Sequence, residues 1–146
     1  MGKAFGSAYG NEINWVQAGA AQNTWYEISD ADMEDGELHL INHDGSGELT
    51  VIQAGYYLAT YSVCLDDSDN NDHAEAGFYV DGAAVDAGQQ HDETGRAGDH
   101  LAMSSTTILK LTAISTVAVC VRTIDATGPD FEVHHLNLTL TQAGWD

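Results

Sequence analysis

The stretch Gly55-Tyr56-Tyr57-Leu58-Ala59-Thr60-Tyr61-Ser62-Val63-Cys64-Leu65 decides the fold class. After Gly55 it holds no strand breaker, and its tyrosines, threonine and valine suit a pleated, packed surface. Odd positions (Tyr57, Ala59, Tyr61, Val63, Leu65) point one way and even positions (Tyr56, Leu58, Thr60, Ser62, Cys64) the other. Both faces are apolar or amphipathic, so both are expected to be covered, inside a sandwich or at a subunit contact. Eleven residues at the strand rise span about 36 Å, long for a domain of this size.

The same alternation recurs on both sides of that stretch. Strands are predicted over 14–18, 24–28, 37–43, 48–53, 75–80, 100–111, 116–124 and 131–141. Turn signals separate them: Asp44-Gly45-Ser46-Gly47, Asp81-Gly82 and Gly128-Pro129. No amphipathic helix and no internal repeat interrupts the series. The expected architecture is an all-β antiparallel sandwich or jelly roll of roughly nine or ten strands. Residues 1–12, rich in glycine and small side chains, are read as a flexible N-terminal arm, and 13–146 as one domain.

Charge is the most informative total. The 146 residues carry 23 Asp plus Glu against 4 Lys plus Arg, a formal net charge of −19. At low salt such a shell repels itself. In multimolar salt the Debye length falls to about 3 Å or less and the repulsion fades. The acids are spread along the chain rather than gathered in a tail, which points to a protein working in brine. Without a basic patch to neutralise phosphates, nucleic acid is not an expected partner. No apolar run approaches the length of a membrane helix, so no membrane partner is expected. The opening Met-Gly-Lys-Ala-Phe-Gly-Ser has no apolar h-region, so no secretory signal is expected there.

Several motifs resemble the C1q and tumour-necrosis-factor-like jelly rolls. Residues 54–63 (Ala-Gly-Tyr-Tyr-Leu-Ala-Thr-Tyr-Ser-Val) resemble that family's central G-x-Y-x-F-x-Y strand. Phe78-Tyr79-Val80-Asp81-Gly82 resembles its next strand and turn. Residues 104–111 are similar to its S-x-x-x-L-x-L strand, and Thr116-Val117-Ala118-Val119 occupies the place of its D-x-V-x-L strand. Residues 131–140 are similar to the closing strand at the trimer centre. The chain departs from the pattern at Ile114-Ser115 and at His134-His135.

The resemblance implies a homotrimer, with Tyr57, Tyr61, His134, Leu136 and Leu138 at the subunit contacts. In tailed viruses similar trimers decorate capsids or head fibres and spikes. An acidic, lysine-poor version therefore looks like a structural virion protein of a halophilic virus. It would assemble in the host cytoplasm, sit on the virion surface, and meet the major capsid protein or fibre and turret components. The alternative is a receptor- or glycan-binding head of a tail fibre or spike.

For bound ions, the loop 66–72 offers Asp66, Asp67, Asp69, Asn71 and Asp72 as oxygen donors, with Asp67, Asp69, Asn71 and Asp72 the expected ligand set. Those suit a hard cation such as Ca²⁺, Mg²⁺ or Na⁺; a solvated acidic turn is the competing reading. The loop lacks the EF-hand spacing. By alternation His134 shares a face with Leu136 and Leu138, so copies of it around a threefold axis could hold a metal. Adjacent His134 and His135 cannot both face one metal without a bulge. No nucleophile elbow, phosphate loop or metalloprotease motif occurs, and no catalytic residue is assigned. Cys64 and Cys120 are small buried thiols, or a disulfide if their strands are neighbours.

Overall fold

The computed structural model describes residues 2–145, and among them there is no α-helix. Twelve strands follow in order: β1 (Phe5–Gln17), β2 (Tyr26–Glu27), β3 (Glu34–His39), β4 (Ile41–His43), β5 (Leu49–Val51), β6 (Gly55–Asp67), β7 (His73–Val80), β8 (Ala83–Ala84), β9 (Gln90–Glu93), β10 (Asp99–Leu111), β11 (Thr116–Thr123) and β12 (Phe131–Trp145). They form two antiparallel sheets. One has the order β10-β6-β12-β1-β3; the other runs β4-β5-β11-β7-β8, with β2 on β11 and β9 on β7.

The stretch 55–65 is β6, which pairs with β10 over its whole length and with β12 on its other side. Its odd residues Tyr57, Ala59, Tyr61, Val63 and Leu65 are buried between the sheets. They meet Leu101, Met103, Leu109, Leu136, Leu138 and Leu140 from their own sheet, and Phe78, Val117, Val119 and Val121 from the opposite one. The Tyr61 ring stands edge-on to Phe78 with centroids 4.8 Å apart. Buried phenol hydroxyls need partners: Tyr61 donates to the Gly88 carbonyl (2.9 Å) and Tyr57 to that of Gln53 (2.8 Å).

Two sequence expectations change here, and one open alternative closes. Residues 1–12 are not a free arm, because β1 begins at Phe5 and lies between β12 and β3 in mid-sheet. The alternation is small-in: Ala4, Gly6, Ala8 and Gly10 are all buried. The glycines permit close approach. A Cβ on Gly10 would stand 2.7 Å from Met33 Sδ, and one on Gly6 would stand 3.0 Å from Ile41 Cβ. The end is fastened by Gln142, whose side-chain Oε1 accepts the Ala4 backbone N–H (2.9 Å) while its backbone N–H donates to the Ala4 carbonyl (2.8 Å). The domain therefore starts before residue 13.

The strand count also rises, because 37–43 is broken into β3 and β4 at Leu40, which adopts a positive φ of 57°. Two further short strands, β8 and β9, lie between the predicted strands 75–80 and 100–111. Finally, Cys64 and Cys120 lie on different sheets, and both are free thiols.

Candidate assembly face and ion sites

The even residues of β6 point away from the core on the outer face of the five-stranded sheet. Strand register places Leu58 beside Ile108 and Thr141, Thr60 beside Thr106 and Thr139, Ser62 beside Ser104 and Asn137, and Cys64 beside Ala102 and His135. No Asp or Glu occurs in these rows. At one end lie exposed large apolar groups: Tyr56, Leu58, Ile108 (60% exposed) and Trp145. The Lys110 ammonium lies 5.8 Å from the Tyr56 ring centroid. In a chain of net charge −19, an acid-free face over three strands is a local reversal of composition.

The expected subunit contacts are otherwise placed. Tyr57, Tyr61, Leu136 and Leu138 are buried in their own chain (0%, 0%, 1% and 0% exposed), so none reaches a neighbour. The same strands contribute their other faces instead. His134 does not share a face with the two leucines either. The β12 register shifts between Val133 and His135, and this bulge rephases the strand. Val133 and Leu136 point inward, while half-buried His134 and exposed His135 lie between them.

At the acidic end of the outer face, Asp66 pairs in register with His100 on one side and Glu132 on the other. His134 Nε2 donates to Asp66 Oδ2 (3.0 Å) and lies 3.9 Å from Glu132 Oε1. His100 Nδ1 contacts Asp66 Oδ1. The hydrogen bond to Asp66, with its negative charge, holds the His134 imidazole above its usual pKa.

The loop expected to bind a hard cation divides. Asp67 and Asp72 are fully buried. Asp67 Oδ1 accepts the Asp69 amide (2.9 Å); Asp72 Oδ1 accepts from the Thr123 and Thr127 hydroxyls (2.7 and 2.9 Å). The remaining oxygen of each, Oδ2, is buried without a hydrogen-bond partner. Asp69 is half-buried, and Asn71 is exposed at a positive φ of 52°. Of its expected donors, the loop thus turns only Asp67 and Asp72 inward together. Burial, with Asp72 close by, pushes the Asp67 carboxyl up to about 7. The fold thus favours the protonated form of Asp67.

The β-sandwich, its two sheet orders and the long central strand invite comparison with solved structures. The chain superposes on "Structure of Eiger TNF from S. frugiperda" with a TM-score of 0.68 at 13% identity, covering 100% of this chain and 96% of that one. The fold is a tumour-necrosis-factor-like jelly roll. No protein-family model matches the chain, and no curated protein sequence matches it. The expected fold class is therefore observed. At this identity the likeness concerns the fold alone.

Sequence reasoning named Asp66 and His134 in separate readings but missed Glu132 and the convergence of the three. Its signal was available: Asp66 closes the alternating run of β6, and Glu132-x-His134 places two donors on one strand face at spacing two.

Proposed function

We propose that this chain is a non-enzymatic structural subunit that assembles as a homotrimer through the outer face of β10, β6 and β12. The trimer belongs on the surface of a halophilic tailed-virus particle, against the major capsid protein or a fibre or turret component. The observation that carries the assembly is the acid-free face holding Tyr56, Leu58 and Ile108. Exposed apolar area is stabilised by burial at about 25 cal/mol per Å², and a contiguous exposed patch marks an interaction surface. Close approach of three such chains also requires that their charges be screened, which brine supplies. The jelly-roll likeness supports a trimer over other stoichiometries, and the acid-rich shell supports the high-salt setting.

Sedimentation in multimolar KCl tests the assembly. The wild-type chain is expected at three times its monomer mass, and Leu58→Asp or Ile108→Asp at the monomer mass with its fold intact. A monomeric wild type would overturn the assembly. The particle assignment has its own test, mass spectrometry and density maps of purified halophilic virions. A lattice position supports a decoration, a fibre tip points to an adhesive head, and absence from all particles refutes a virion role.

A further inference from the structure

A mixed nitrogen and oxygen donor set converges at the acidic end of the outer face, within a single chain. A ligand atom from each of Asp66, Glu132 and His134 lies within 4.8 Å of the other two. No other group of three such side chains converges so closely among the described residues. All three are half-buried, not freely solvated. Asp66 and Glu132 are ladder partners on adjacent strands β6 and β12, and His134 sits at the β12 bulge two residues on, which turns its ring toward them. A cleft lined by Val16, Ser68, Gly98 and Asp130 opens beside Asp66 and Glu132 and gives an ion a way in.

We propose that Asp66, Glu132 and His134 bind a divalent transition metal ion of the Zn²⁺ class, with His100 positioning Asp66. Zn²⁺ takes nitrogen and carboxylate oxygen at about 2.0–2.2 Å, so neighbouring donors of a tetrahedral site stand roughly 3.4 Å apart. The 3.0 and 3.9 Å separations here straddle that value. An imidazole among the donors favours Zn²⁺ and its neighbours over Ca²⁺ or Mg²⁺, which prefer oxygen alone.

Three protein ligands leave a further position for water or an incoming group. His100, on Asp66 Oδ1, is the outer hydrogen-bond partner that orients a ligating carboxylate. Other His–carboxylate contacts of the chain, such as His73 with Asp125 and Glu93, do not form such a group. Binding requires His134 to lose its proton, so it releases a proton and weakens as pH falls. The site needs no second chain and stands apart from the assembly reading.

The full chain tests the proposal in multimolar KCl with Mg²⁺ in large excess, so that surface acids are already occupied. Zn²⁺ is titrated by equilibrium dialysis, and Co²⁺ by its visible absorption. One ion per wild-type chain is expected despite the Mg²⁺. His134→Ala and Glu132→Gln are expected to lose it, and His100→Ala to weaken it about tenfold. His91→Ala, on the other sheet, should bind as wild type. Displacement of all Zn²⁺ by Mg²⁺, or undiminished binding by His134→Ala, overturns the site. Should a variant fail to fold, the ring-nitrogen resonance of His134 Nε2 in the wild-type chain decides. Zn²⁺ is expected to shift it, and an unmoved resonance overturns the proposal.

Discussion

Asp67 and Asp72 enter the interior from the two ends of one loop, and each keeps a buried Oδ2 to which no hydrogen-bond partner is directed. The Asp67 carboxyl is raised to about 7 by burial and by its neighbour, from about 3.9 in an unfolded chain. The folded state therefore favours the protonated form. This contribution to stability is complete below about pH 4 and is lost as pH rises toward 7. Asp67→Asn, which stays neutral and can donate to Asp72, is expected to be more stable than wild type above pH 7. The gain is on the order of 1 kcal/mol and vanishes near pH 4. Denaturant unfolding at both pH values checks it. An equal pH dependence in the two proteins would refute the raised Asp67 carboxyl.

The two faces of β6 predict opposite mutational behaviour. Tyr61→Ala, on the buried face, is expected to cost about 3–5 kcal/mol through the cavity it leaves. Tyr61→Phe removes only the bond to the Gly88 carbonyl and should cost about 1 kcal/mol. Thermal unfolding measures both. Leu58→Asp, one strand face away, should leave the monomer's melting within a few tenths of a kcal/mol while changing its association.

Gly10 is held to glycine by space. Gly10→Ala would press a methyl group on Met33 Sδ and Ile13 Cγ2, and a loss of about 1–3 kcal/mol is expected. Removing residues 1–12 takes out much of a mid-sheet strand. The truncated chain is expected to lose cooperative unfolding, which near-ultraviolet circular dichroism would report.

Salt should stabilise this fold strongly. With a net charge of −19, the melting temperature is expected to climb most steeply up to about 1 M salt, where the Debye length shrinks from about 10 to 3 Å. A melting temperature independent of KCl concentration would contradict adaptation to brine.

Alternation made the jelly roll legible. The period of two through residues 56–65 and 101–111 sorts inside from outside with no tertiary information. It could not say which covered face belongs to the chain itself and which faces solvent or a neighbour. That is why Tyr57 and Tyr61 read as subunit contacts, although the second sheet already covers them. Gly6 and Gly10 read as flexibility, because composition cannot distinguish a glycine that is mobile from one that is crowded. His134 was placed on the leucine face because a one-residue bulge is invisible to a strict alternation. The cation loop was half legible: its acids cluster in sequence, but only Asp67 and Asp72 turn inward together.

The unequal surroundings of the two thiols give this molecule a ready-made reporter. Cys120 is buried, and its thiol is pushed up to about 12, so it resists alkylation while the sandwich stays closed. Cys64 is half-buried, in the row of Ala102 and His135. A maleimide dye added to folded protein would therefore attach at one place, without mutagenesis, and since Cys64 lies in the assembly face its rate of attachment would rise as brine is diluted and subunits part.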